Sequence, residues 1–144
     1  MREYVFVCIG TNKLIADSFG PRVGQRLQSN FSNISKIQVF GTMQKPIHFK
    51  NANILAKKLK SENIKQIILI DSCFSKKEEI GSTYTNLGGI EIGKAYGKSF
   101  YFPASINIKT VVGNQNELPN WNISQIESLA QRVANQITNV VWQM

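Results

Sequence analysis

The segment Gln66-Ile67-Ile68-Leu69-Ile70-Asp71 carries four apolar residues in a row and ends on an aspartate. A strand that is apolar on both faces must be covered on both, which is the condition of a parallel strand inside an α/β sheet. The preceding chain supplies the other layers. Tyr4 to Ile9 reads as a first strand. Pro21 suits an early helix position, and Val23, Leu27 and Phe31 follow near helical spacing in a helix over Arg22 to Phe31. Lys36 to Gly41 reads as a second strand. Asn51 or Asn53 then caps a helix running to about Glu62, with Ile54, Leu55, Lys58 and Leu59 on its packing face. This alternation predicts a three-layer αβα sandwich around a mixed, mostly parallel twisted sheet, with the first three strands parallel in the order 2-1-3.

Beyond Asp71 the pattern is less regular. Lys76-Lys77-Glu78-Glu79 reads as a charged, solvated turn. Ile80 to Leu87 and Ser105 to Val112 read as strands that join the sheet less regularly, separated by a Gly-rich loop holding Gly88, Gly89, Gly93 and Gly97. A closing helix starts at a Ser124-x-x-Glu127 capping box and carries Ile126, Ala130, Val133, Ile137 and Val140 as its core stripe. Neither a repeat nor a linker interrupts residues 1–144, so one domain is expected.

At 144 residues with 42% hydrophobic content, the chain can bury one good core and does not have a disordered composition. No apolar run approaches the roughly 18 residues of a membrane span. Met1-Arg2-Glu3-Tyr4 leads directly into a strand, so neither a secretion signal nor a membrane anchor is expected and the cytoplasm is the default compartment. Cys8 and Cys73 fit reduced thiols, because two cysteines make neither a disulfide framework nor a zinc site. The net charge of +8 raises nucleic-acid binding as an option. The lysines are scattered, however, Lys65 and Lys109 among them, and no recognition motif accompanies them; a diffusely solvated surface is expected instead, with no nucleic-acid partner.

Ligands of open α/β sheets gather at the carboxyl ends of the strands. Asp17 follows the first strand and Asp71 ends the third, so in a 2-1-3 order the two carboxylates share one crevice. One can then activate a water while the other holds a proton. Each has a plainer role open to it. Asp17 stands where a helix N-cap would, beside a helix N-terminus that favours the ionised form, and Asp71 stands where a carboxylate caps a turn. His48, the only histidine, follows the second strand; it is either a loop residue or a group at the crevice rim. Thr11 and Ser72 complete the expected substrate-binding set. No phosphate-loop or dinucleotide motif is present, and no cofactor or resident metal is expected.

The stretch CIGTNKLIADSFGPRVG (Cys8 to Gly24) resembles the opening motif of YyaC-type sporulation proteins. It is similar, more distantly, to the germination protease of bacterial spores. The likeness continues in FGTMQKPIHF (Phe40 to Phe49) and ILIDSCF (Ile68 to Phe74), then weakens towards Gly113. The resemblance implies a phosphorylase/hydrolase-like fold and makes Asp17 and Asp71 the counterparts of two catalytic aspartates. The chain departs from the pattern at Ala16, where a glycine is usual. It also departs at Pro103-Ala104-Ser105, where a Gly-Asp pair is usual, and in the loss of prolines from the Gly-rich rim. Hydrogenase maturation endopeptidases share the fold group and hold substrate nickel with an acidic residue, an aspartate and a later histidine. Here His48 precedes Asp71, which argues against that use.

The resemblance implies a sporulation-related peptidase acting in the cytoplasm, that of the developing spore included. Its substrate would be a protein or peptide such as a spore protein, hydrolysed through the aspartate pair, with self-association left open. The alternative is a non-catalytic binding or regulatory protein that keeps the fold. A third reading makes Cys73 a nucleophile with His48 as its base.

Overall fold

The computed structural model runs β1 (Tyr4–Cys8), α1 (Phe19–Asn30), β2 (Ile37–Phe40), α2 (Ala52–Ser61), β3 (Gln66–Ser75), β4 (Thr83–Leu87), β5 (Ile90–Ile92), β6 (Phe100–Phe102), β7 (Ile106–Asn114) and α3 (Ile123–Trp142). Short 3-10 turns lie at Ala16–Ser18 and Lys77–Glu79. It describes residues 3–64, 66–94, 97–114, 116 and 120–143; Met1, Arg2, Lys65 and residues 95–96 of the Gly-rich segment lie outside them. Five strands form one sheet in the order β2-β1-β3-β7-β4. All are parallel except β4, which runs antiparallel to β7.

Residue alternation decides what covers each face. Phe6, Cys8, Ile68 and Ile70 point to one side, where Phe19, Val23 and Leu27 of α1 and Val133 of α3 close over them. Val5, Val7 and Leu69 point to the other, beneath Leu55 and Leu59 of α2 and Ile90, Ile92 and Phe102 of β5 and β6. Leu69 and Phe19 are fully buried, and each such side chain contributes about 1.5–3 kcal/mol. The three-layer sandwich is thus present, with a β-hairpin sharing the second outer layer with α2.

Several boundaries differ from the sequence expectation. The Gly-rich segment is not only a loop: it contains β5 and β6, whose Ile90, Ile92 and Phe102 are core residues. The strand expected from Ile80 begins at Thr83, because the 3-10 turn extends to Ile80 and Ser82 N–H closes onto Glu79 O. The last helix is capped by Asn122, not Ser124: Gln125 N–H donates to Asn122 Oδ1 at 2.8 Å and Asn122 N–H to Gln125 Oε1 at 3.0 Å. Asparagine and glutamine satisfy the box as well as serine and glutamate. Glu127 is left to accept from Arg22 Nη1 at 2.6 Å and Arg26 Nη2 at 2.9 Å, tying α3 to α1. Ile54 and Val140 lie off the buried stripes, 72% and 60% exposed.

Candidate active site

β1 pairs with β3 only as far as Cys8 opposite Ile70, whereas β3 continues to Ser75 with β7 alone beside it. Asp71 is the first residue of this overhang. It lies within the strand, not at its end as its position after the apolar run suggests, so no turn begins there for it to cap. Asp71 follows Leu69 on the face covered by α2 and the hairpin. Its residue keeps some exposed surface, yet burial of the carboxyl pushes the pKa up to about 7. The Ser72 N–H, which donates to Asp71 Oδ1 at 2.8 Å, and the charge of Lys109 pull it down, and the charge of Asp17 pushes it up further.

Asp17 reaches the same edge through a loop folded back on itself. Thr11 N–H donates to Asp17 O at 3.0 Å. A Cβ on Gly10 would lie 2.2 Å from that oxygen, and a Cβ on Gly20 would lie 2.0 Å from Ile9 O. Glycine at both positions lets the loop and the start of α1 close against the end of β1. Ser18, not Asp17, occupies the N-cap position of α1, and its hydroxyl donates to Ile15 O at 2.6 Å while accepting from Arg22 Nε at 2.8 Å. Burial raises the Asp17 carboxyl above its ordinary range.

The other expected residues are placed unevenly. Ile47 bridges Ile9, and its carbonyl accepts from Gly10 N–H at 2.9 Å, so the arm from Thr42 to Lys50 lies along the same strand edge. His48 is half-buried there, but its contacts belong to its own loop. Nδ1 accepts from Lys50 N–H at 3.2 Å, and the ring meets Phe49 edge-on at 6.4 Å. The Thr11 hydroxyl accepts from Lys13 N–H at 2.9 Å and shapes its loop. Ser72 offers Asp71 its backbone N–H; by strand alternation its side chain lies on the opposite face, level with Thr110. Among the described residues no three His, Cys, Asp or Glu side chains group as a metal site.

Lys109 is the residue that sequence reading missed. It is the direct partner of Asp71 across β3 and β7, and Tyr84 of β4 is its partner in turn. Directly paired residues share a face, so Lys109 is aimed at the aspartate and is not one of the diffuse surface lysines. Among the described residues it forms no ion pair. A lysine at the alternate position from Ile106, Ile108 and Thr110, in a strand covered on both faces, was the available signal. Cys73 shares this row. Burial pushes its thiol up, Lys109 lowers it, and Asp71 and Glu79 raise it again; this is the opposite of an activated nucleophile.

A separate apolar groove of about 640 Å³ lies at the other end of the strands, between the sheet and the end of α3. Tyr4, Ile37, Ile68, Ile106, Ile137 and Trp142 line it, and it shares no residue with the aspartate crevice.

The α/β fold is similar to that of several hydrogenase maturation proteases. Its similar structures include the [NiFe] hydrogenase maturation protease HycI from Thermococcus kodakarensis KOD1, with TM-score 0.62 and 17% identity, covering 96% of this chain and 91% of that one. The hydrogenase maturating endopeptidase HybD from E. coli is also similar, with TM-score 0.55 and 11% identity over 99% and 93% of the two chains. Residues 1–140 match the family described as "Protein of unknown function (DUF1256)", and the chain belongs to that family. It is 28% identical over 112 residues to the uncharacterized protein YyaC of Bacillus subtilis (strain 168), covering 77% of this chain and 54% of that one. The chain therefore spans about half the length of the curated relative it matches. No helix among the described residues is long and apolar enough to cross a membrane.

Proposed function

We propose that the protein is a peptidase that hydrolyses a peptide bond through Asp17 and Asp71, acting on a protein of the sporulating cell. The observation that carries this reading is the placement of two carboxyls at one strand edge, Asp71 opening the overhang of β3 and Asp17 in the loop folded against the end of β1, near enough for the charge of Asp17 to act on Asp71. Asp71 lies deeper and feels the charge of Asp17, so it is the group that keeps a proton near neutral pH. Asp17, in the rim loop, serves as the base. Asp17 takes a proton from water, and the oxygen of that water forms a bond to the peptide carbon. Asp71 gives its proton to the carbonyl oxygen. When the tetrahedral adduct collapses, the C–N bond breaks, the nitrogen takes the proton held by Asp17, and the hydroxyl proton returns to Asp71. Lys109 faces the oxygen on which negative charge develops. Thr11, His48 and Ser72 would contact the substrate from the surrounding loops and strand.

Incubation with small acid-soluble spore proteins tests the reading. Fragments are expected from the native chain, with a loss of at least 100-fold in rate for Asp17→Asn and for Asp71→Asn. Equal rates in all three proteins would remove the mechanism. The second reading, a binding protein that keeps the fold, rests on the loss of the Gly-Asp pair at Pro103-Ala104-Ser105 and of the prolines from the Gly-rich rim. It predicts binding of the same proteins with no fragments.

A further inference from the structure

The overhang of β3 leaves a strand edge open beside Asp71. Ile9 N–H donates to Ile70 O at 2.7 Å, so the backbone groups of Ile70 face β1, whereas Ile67 O faces the β7 side, where it accepts from Ser105 N–H at 2.9 Å. Successive residues of a strand turn their N–H and C=O groups to opposite edges. Ser72 therefore faces the side from which β1 is missing, and Phe74 does so as well, because the register shift between Cys73 and Phe74 puts the extra residue, Val112, on β7 and leaves the alternation of β3 intact. The Ser72 N–H is satisfied there by the Asp71 carboxyl, at 2.8 Å. Among the described residues nothing else bonds to the backbone of Ser72 or Phe74 along this edge. Apolar side chains are exposed on this strand and on the loop after β1: Phe74 is 41% exposed, and Leu14 and Ile15 are 62% and 38% exposed.

We propose that this open edge of β3 binds the substrate as an added strand: an extended peptide with apolar side chains pairs with Ser72 and Phe74 where β1 stops. Strand addition uses main-chain hydrogen bonds for affinity and alternate side chains for selection, and here Leu14, Ile15 and Phe74 select. A peptide carbonyl that accepts from Ser72 N–H takes the place of Asp71 Oδ1. It then lies within reach of the carboxyl it has displaced, and the protonated form of Asp71 can donate to the same oxygen. That last step rests on the peptidase reading; the pairing itself does not. The inference names the substrate as an unfolded or extended segment, because a helix has no free N–H and C=O groups to offer a strand edge.

The test uses ¹⁵N-labelled Asp17→Asn protein, which lacks the proposed base but keeps Asp71 and β3. The probe is a blocked hexapeptide of alternating leucine and threonine ending in glutamate, with a twin N-methylated at alternate amides. Saturable shifts of the Ser72 and Phe74 amide signals are expected, with at least tenfold weaker binding of the twin. Phe74→Pro, which removes an N–H facing away from β7, should weaken the parent peptide at least tenfold, and Phe74→Ala less than that. Ser72 and Phe74 signals unmoved at millimolar peptide, or shifts confined to Thr83–Leu87 on the outer edge strand, would overturn the inference. Cleavage of the same peptide by the native chain separates the two readings. Shifts without cleavage keep the strand addition and remove the peptidase; cleavage without shifts does the reverse.

Discussion

Asp71 and Lys109 are direct partners across the parallel ladder of β3 and β7, and both face the layer formed by α2 and the β5–β6 hairpin. The pairing sets a cation beside a carboxyl that burial would otherwise hold neutral over a still wider pH range. Replacing Lys109 by Met should raise the Asp71 pKa further, and Lys109→Arg should leave it nearly unchanged. The alkaline limb of a pH–rate profile reads this: an upward move of about 0.5–1 pH unit is expected for Met alone. Identical limbs in Met and native proteins would show that the lysine charge does not reach the aspartate.

Stability should carry the mark of the same carboxyl. The folded-state pKa of Asp71, about 7, lies above its ordinary value of 3.8. Between those values the folded protein holds a proton that the unfolded chain has lost. This contribution is complete below about pH 4 and is lost as pH rises through 7. Asp71→Asn removes the penalty, so at pH 8 it should be more stable than the native chain by about 1–3 kcal/mol, with little difference at pH 4. Urea unfolding at the two pH values measures it; a constant difference would contradict the assignment.

Glu127 acts in the opposite sense. Burial works to raise its carboxyl, but hydrogen bonds and charge from Arg22 and Arg26 prevail and hold it below its ordinary range. Its contribution is present above that range and lost on acidification. Glu127→Gln should cost about 0.5–1 kcal/mol at pH 7 and almost nothing at pH 3, since all three side chains are partly solvated. Thermal unfolding at both pH values checks the sign.

Gly20→Ala should be severe for its size. The new Cβ would meet Ile9 O at 2.0 Å, so α1 must move away from the end of β1. A loss of about 2–4 kcal/mol is expected, together with a change in the Asp71 pKa as the Asp17 loop shifts. An unaltered Asp71 titration would mean that the loop and the helix start are not mechanically joined.

The parallel core could be read from the chain because Ile67 to Ile70 can only be buried on both faces, and Val23, Leu27 and Phe31 keep helical spacing. Asp17 and Asp71 stood out because they follow apolar strands. What stayed hidden depended on register. Where β1 stops relative to β3 decides that Asp71 begins an open overhang, and no local residue pattern records it. Lys109 was hidden in the same way: its meaning comes from its partner 38 residues earlier. The β5–β6 hairpin escaped because each strand has only three residues and Gly88, Gly89, Gly93 and Gly97 around it read as loop. His48 was drawn towards the pair by its place after β2, whereas the short turn from His48 to Asn51 occupies its Nδ1 with Lys50 N–H.

The central claim is that Asp71 keeps its proton near neutral pH while sharing an edge with Asp17. Carboxyl ¹³C NMR of the native chain and of Asp17→Asn, titrated from pH 3 to 9, tests it most directly. The two groups interact, so the native chain reports apparent values for the pair. One transition near pH 7 is expected, moving to lower pH when Asp17 becomes neutral. Titration of both aspartates near pH 4, unchanged by Asp17→Asn, would contradict the account.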